Sequence, residues 1–147
     1  MKNIELQKII DGSSVLNQGH PELVKEEWII DAEKRLDKKL PASYKWWLLN
    51  YGCGWIDGYP IYTIAPPEFS EIADSDIATA NLTHRKNGIA DPSRIYFYEP
   101  DGDERYFLDA SQESPSEEYP VMLESLAEGT TTEYATDFAA FLKKIIE

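Results

Sequence analysis

The chain has one cysteine, two histidines, two methionines and 14 basic residues against 27 acidic ones. A lone cysteine forms no internal disulfide, so nothing here requires an oxidising compartment. Two histidines and one cysteine, none at ligand spacing, give no zinc site to expect. No window approaches the ~18 uninterrupted apolar residues of a membrane span. The opening MKNIELQKIIDG interleaves charge with apolar residues and lacks the apolar run of a signal peptide; a cytoplasmic location is expected. There is no GxxxxGKS/T loop, no GxGxxG and no GxSxG. Cys53, in YGCG, has only His20 and His84 as candidate bases, and neither sits in a nucleophile signature. A small residue in a glycine-rich turn accounts for it. The string DGDE at 101–104 lacks the register and the terminal bidentate glutamate of a calcium loop. No catalytic residue, metal or cofactor is therefore expected.

Basic residues are scarce in one half especially. Residues 1–98 carry 14 acids and 11 bases, whereas residues 99–147 carry 13 acids and 3 bases. A net charge of -13 repels nucleic acid and anionic lipid. It keeps a protein soluble, and it speeds encounter with a basic partner.

What is present suits one domain spanning residues 1–147: 42% hydrophobic and 12% aromatic residues can fill a core without a staple. A first helix is predicted over residues 3–11. A second starts after His20 with Pro21 in its first turn, and Val24, Trp28, Ala32 and Leu36, with Ile29 beside them, form one buried stripe. A third opens at Pro41 and stops at Gly52. Tyr44, Trp47, Leu48 and Tyr51 lie on one side and Trp46 and Leu49 on the other, so this helix is expected to pack on two sides, between the second helix and a sheet. WIDGYPIYTI reads as strand with a bend at Gly58, and Pro60 restricts it to an edge or a bulge. Residues 74–86 read as a weak helix, with His84, Arg85 and Lys86 at its cation-favouring end. Residues 94–99 and 104–109 form an aromatic hairpin around an Asp-Gly turn, with Ile95 and Phe97 on one face and Tyr96 and Tyr98 on the other. YPVMLESL is a further strand. A last amphipathic helix carries Tyr134, Phe138, Phe141, Leu142 and Ile145, with Thr130 and Glu133 at capping-box spacing. The class is α+β: one twisted, mostly antiparallel sheet with N-terminal helices and a C-terminal helix packed against it.

The stretch AEKRLDKKLPASYKWWLLNYGCG resembles the signature of the SUKH superfamily, bacterial immunity proteins related to a fungal regulator of cell-wall synthesis. The pattern "aE..L" then "LP..Y..fL...nGg" corresponds to Ala32, Glu33 and Leu36, then Leu40, Pro41, Tyr44, Leu48 and the turn at Gly52 and Gly54. IYFYEPDGDERYFLD resembles the family's central strand pair, ending at Asp109; PVMLESL resembles its next strand, and ATDFAAFLKKII its closing helix. YGCGW replaces the usual Asn-Gly-Gly-type turn. The likeness runs over about residues 22–146 and leaves residues 1–20 as an N-terminal helical extension.

The resemblance implies a non-enzymatic binder that neutralises a cognate protein toxin, often a nuclease, by direct association. An acidic protein suits the cationic cleft that a nuclease needs for phosphates. Glu99, Asp101, Asp103 and Glu104 are the candidate acidic contacts. Trp28 and Trp47 read as core. Trp46, Trp55 and Tyr59 either fill the core or line a groove, and are the candidate apolar anchors. An apolar face at Trp46 would also suit a homodimer. The alternatives are an intracellular scaffold or regulatory protein-binding module, and a small-molecule or peptide pocket under the aromatics.

Overall fold

Residues 57 and 58, Asp and Gly, both adopt positive φ, 53° and 84°. That pair closes a two-residue hairpin whose twist matches its strands. The computed structural model describes residues 3–13, 16–18, 24–89, 91–100, 102–111 and 117–146. Its elements are, in order, α1 (Asn3–Asp11), β1 (Leu16–Gln18), α2 (Glu26–Leu36), α3 (Ala42–Asn50), β2 (Gly54–Ile56), β3 (Tyr59–Ile61), α4 (Ile77–Lys86), β4 (Arg94–Tyr98), β5 (Glu104–Asp109), β6 (Val121–Ser125), β7 (Thr130–Ala135) and α5 (Phe138–Ile146). The seven strands form one sheet in sequence order, and every neighbouring pair is antiparallel. The α+β class holds, with N-terminal helices and a C-terminal helix against a single sheet.

α5 is the centre of the core. Phe138 and Phe141 are fully buried, and their rings meet Tyr44 and Trp47 of α3 and Phe97, Tyr98, Tyr106 and Tyr134 of the sheet. Two buried tyrosines place their hydroxyls on carbonyls: Tyr44 donates to Tyr62 and Tyr98 donates to Ile56. Each tyrosine thereby fills the core without leaving a polar atom unpaired.

Several expectations change on contact with the fold. Tyr98 does not face away from Phe97. A bulge between Tyr96 and Tyr98 sets both Phe97 and Tyr98 against α5, because the extra residue resets the two-residue alternation. Thr130 and Glu133 do not cap the last helix; they lie in β7, and α5 begins only at Phe138. The cap is Asp137, whose Oδ1 accepts from the Ala140 N–H at 2.7 Å. Three successive threonines after a positive-φ Gly129 favour a strand leaving a turn. α2 starts later than expected: Lys25 is its extended N-cap, and Pro21 lies outside the described residues. Pro60 sits in β3, between β2 and β4 rather than at the sheet's edge. The proline is tolerated because β3 meets β4 only at Ile61 and Tyr98. α3 is not packed on both sides: Leu49 is exposed and Trp46 half-buried, edge-on to Tyr51 at 5.8 Å. Its N-terminus is closed from a distance. Glu118 accepts from the Ser43 N–H at 2.9 Å and from the Ser43 hydroxyl at 2.7 Å.

Candidate functional site

Antiparallel order sends three turns to one end of the sheet: residues 57–58, residues 99–104 and residues 126–129. Asp103 ties the last two together. Its carbonyl accepts from the Leu126 N–H and its Oδ1 from the Ala127 N–H, both at 2.8 Å. These turns contain no lysine or arginine. They present exposed Asp57, Asp103 and Glu128, half-buried Glu104, and exposed Tyr59 and Leu126. Trp55 pairs with Pro60 across β2 and β3 and is 36% exposed. Asp103, Glu104, Trp55 and Tyr59 of the candidate residues are therefore carried by one end of the molecule. Asp101 lies outside the described residues. Trp46 is on α3 and is half-buried beside Tyr51.

Glu99 is placed differently from the other acids. Its side chain is 13% exposed, and its Oε1 accepts from the Tyr62 hydroxyl at 2.9 Å and meets His84 Nε2 at 2.7 Å. The carboxylate is committed to an internal network. Burial, followed by the charge of Glu99, pushes the Tyr62 phenol well up, so it stays a donor.

Beside this network runs the sheet face opposite α5. Register places Tyr96 next to Phe107 and Phe107 next to Met122 on that face. Tyr96 and Phe107 are buried, yet both stand outside the main apolar core. The Arg105 guanidinium lies 5.0 Å from the Tyr96 ring centre and the Arg94 guanidinium 4.6 Å from that of Phe107. Glu124 bridges the two arginines, at 2.8 Å to Arg94 and 2.7 Å to Arg105. Both cations of the acidic hairpin are thus held on the sheet face and away from the turns.

α4 completes the arrangement. At Tyr96 the edge of β4 has no strand partner, and Asn81 supplies one. Its Nδ2 donates to the Tyr96 carbonyl at 2.8 Å and its Oδ1 accepts from the Tyr96 N–H at 2.7 Å. A single amide side chain reproduces both bonds of a strand neighbour. Among the described residues, no group of three or more His, Cys, Asp or Glu could hold a metal ion, and no helix is long and apolar enough to cross a membrane.

The chain matches the family model SUKH_5, described as SMI1-KNR4 cell-wall, over residues 5–147. It belongs to the SUKH family. The match begins within α1, which packs on α5. Among solved structures, a protein from Pseudomonas syringae pv. tomato is similar at 17% identity, with a TM-score of 0.68 over 95% of this chain and 97% of that one. At that identity the likeness carries the fold alone. No curated protein matches the chain.

Within this SUKH domain, sequence reasoning missed Asn81, the Arg94–Glu124–Arg105 bridge and the pairing of His84 with Glu99. Asn81 carried one signal: a polar residue on the same face as Ile77 and Ala78, where an apolar one is the default. The arginine bridge depends on strand register, which no local pattern reports.

Proposed function

We propose that this SUKH domain, taken as one unit over residues 1–147, is an immunity protein. It neutralises a cognate protein toxin, a nuclease by preference, by binding and occluding it in the cytoplasm. It performs no catalytic step of its own. Family membership supports a protein-binding module, as the resemblance implied. The observation that carries the toxin-binding reading is the cation-free turn end, which joins Asp57, Asp103, Glu104 and Glu128 to exposed Tyr59, Leu126 and Trp55. A basic cleft built for phosphates meets complementary charge at the rim and apolar anchors within it. Steering by such a field raises association rates and weakens with salt.

Glu99 contributes by holding β4 to α4 and Tyr62 rather than by touching the toxin. Neutralising the acids of the hairpin turn tests the reading while each side chain keeps an acceptor oxygen. Genes of the immunity proteins it resembles commonly neighbour the toxin's, so the partner to test is the product of the adjacent gene. The triple variant Asp101→Asn, Asp103→Asn, Glu104→Gln should associate with it more slowly at low salt and approach the unaltered rate at high salt. Equal rates at every salt concentration would remove the acidic turn from the mechanism.

A further inference from the structure

The loop between β3 and α4 inverts the usual rule of burial. Ser70 and Asp76 are buried, at 6% and 0% exposure, while Phe69 and Ile72 stand out at 56% and 78%. A buried polar group with a neighbouring exposed large apolar one is the informative case. The inversion is held in place by specific bonds. Asp76 accepts from the N–H groups of Ala65 and Thr79, each at 2.9 Å, and pairs with Arg35 at 3.4 Å. Arg35 also donates to the Thr79 hydroxyl at 2.9 Å, and that hydroxyl donates to the Ser70 carbonyl at 2.5 Å. Thr63 bridges Asp76 in parallel. Within the loop, the N–H groups of Ile72 and Ala73 both bond to the Phe69 carbonyl, at 3.1 and 3.0 Å. That makes a helical turn in which residues three apart stand side by side.

Phe69 and Ile72 are therefore a preformed apolar knob whose backbone is already ordered. Around it Glu68, Glu71 and Asp74 are all exposed. Residues 46–83 contain no lysine or arginine, so no cation of that stretch competes for these carboxylates. The chemistry that complements this surface is an apolar pocket rimmed by lysine or arginine on a basic protein.

We infer that Phe69 and Ile72 anchor this chain in such a pocket of its toxin partner, with Glu68, Glu71 and Asp74 pairing with the cationic rim. This rests on the toxin-binding reading above and names a contact the hairpin end does not include. A rigid aromatic and an aliphatic residue at the centre of a charged ring have the make-up of a binding hot spot, and an ordered loop loses little entropy on docking.

The probe is the toxin domain encoded beside this chain, inactivated in its own catalytic site and titrated against the full-length protein. Phe69→Ala with Ile72→Ala should weaken affinity about tenfold or more and leave the melting temperature unchanged. Ile4→Ala and Ile30→Ala, exposed elsewhere, should leave affinity unchanged. Glu68→Gln, Glu71→Gln and Asp74→Asn together should slow association at low salt. If the unaltered protein binds and the Phe69 and Ile72 variant binds equally well, the knob is not a contact and the wider function survives. If the unaltered protein does not bind at all, both fall together.

Discussion

On one side of the sheet, Phe97, Tyr98 and Tyr106 are covered by Phe138 and Phe141 of α5. On the other, Tyr96 and Phe107 are covered by the guanidinium groups of Arg105 and Arg94. Both outer rings are as dry as the inner ones, at 0% and 3% exposure. The means differ. A helix face buries rings by dispersion and loss of apolar hydration. An arginine does so with its stem and a flat cation over the π-face, worth about 0.5–2 kcal/mol per contact, and it needs a carboxylate to hold it there. Glu124 is that carboxylate. Beside the arginines, His84 of α4 reaches these rings, edge-on to Tyr96 at 5.4 Å. The outer face thus needs no full helix cover to avoid a broad apolar surface, and an acidic chain keeps two of its few cations fixed on one face.

Breaking each side separately sharpens the contrast. Phe141→Ala removes the ring shared by Phe97, Tyr98, Tyr106 and Tyr134 and should cost about 3–5 kcal/mol in denaturant unfolding. Asn81→Leu, which leaves the buried N–H and carbonyl of Tyr96 without partners, should cost about 2–3 kcal/mol. Hydrogen exchange at Tyr96 should then rise well ahead of global unfolding. Glu124→Gln leaves two guanidinium groups with no counter-charge between them and should cost about 1–2 kcal/mol, intermediate between exposed and buried pairs. A cost below about 0.5 kcal/mol, ordinary for a surface change, would mean that the arginines lie over the rings without being held there.

A smaller effect concerns Glu118 at the start of α3. Burial raises its carboxyl above the ordinary glutamate range, more than the Ser43 hydrogen bonds lower it. The folded state then holds this proton more tightly than the unfolded state, so its contribution to stability falls as pH rises from the ordinary range through the raised value. Glu118→Gln abolishes that titration. Its stability relative to the unaltered protein should increase across the same interval; a flat difference would place the carboxyl in water.

Much of the fold was legible because its signals were local. The stripe of α2 is periodicity, and it stands at Val24, Ile29, Ala32 and Leu36, with Trp28 half-buried; the two aromatic runs of the 94–109 hairpin form the strands their pattern predicts. The misreadings share one cause: tertiary pairing overrode a local pattern. Tyr134 and Phe138 share helical spacing, but Thr130 to Ala135 found a strand partner in β6, which ended the helix at Phe138. Tyr98 should alternate outward, but a single bulged residue in β4 turned it onto α5. Among the candidate contacts, Glu99 looked like its acidic neighbours in sequence. It differs because α4 brings His84 alongside and the residue after β3 brings the Tyr62 hydroxyl, and nothing local to the hairpin announces either.

The central claim, that this chain acts by covering a basic toxin, is tested most directly by titrating the purified protein into the active toxin of the adjacent gene. Toxin activity should fall to zero at one equivalent, with tighter inhibition at low salt than at high salt. Undiminished toxin activity at excess protein and low salt would contradict the claim.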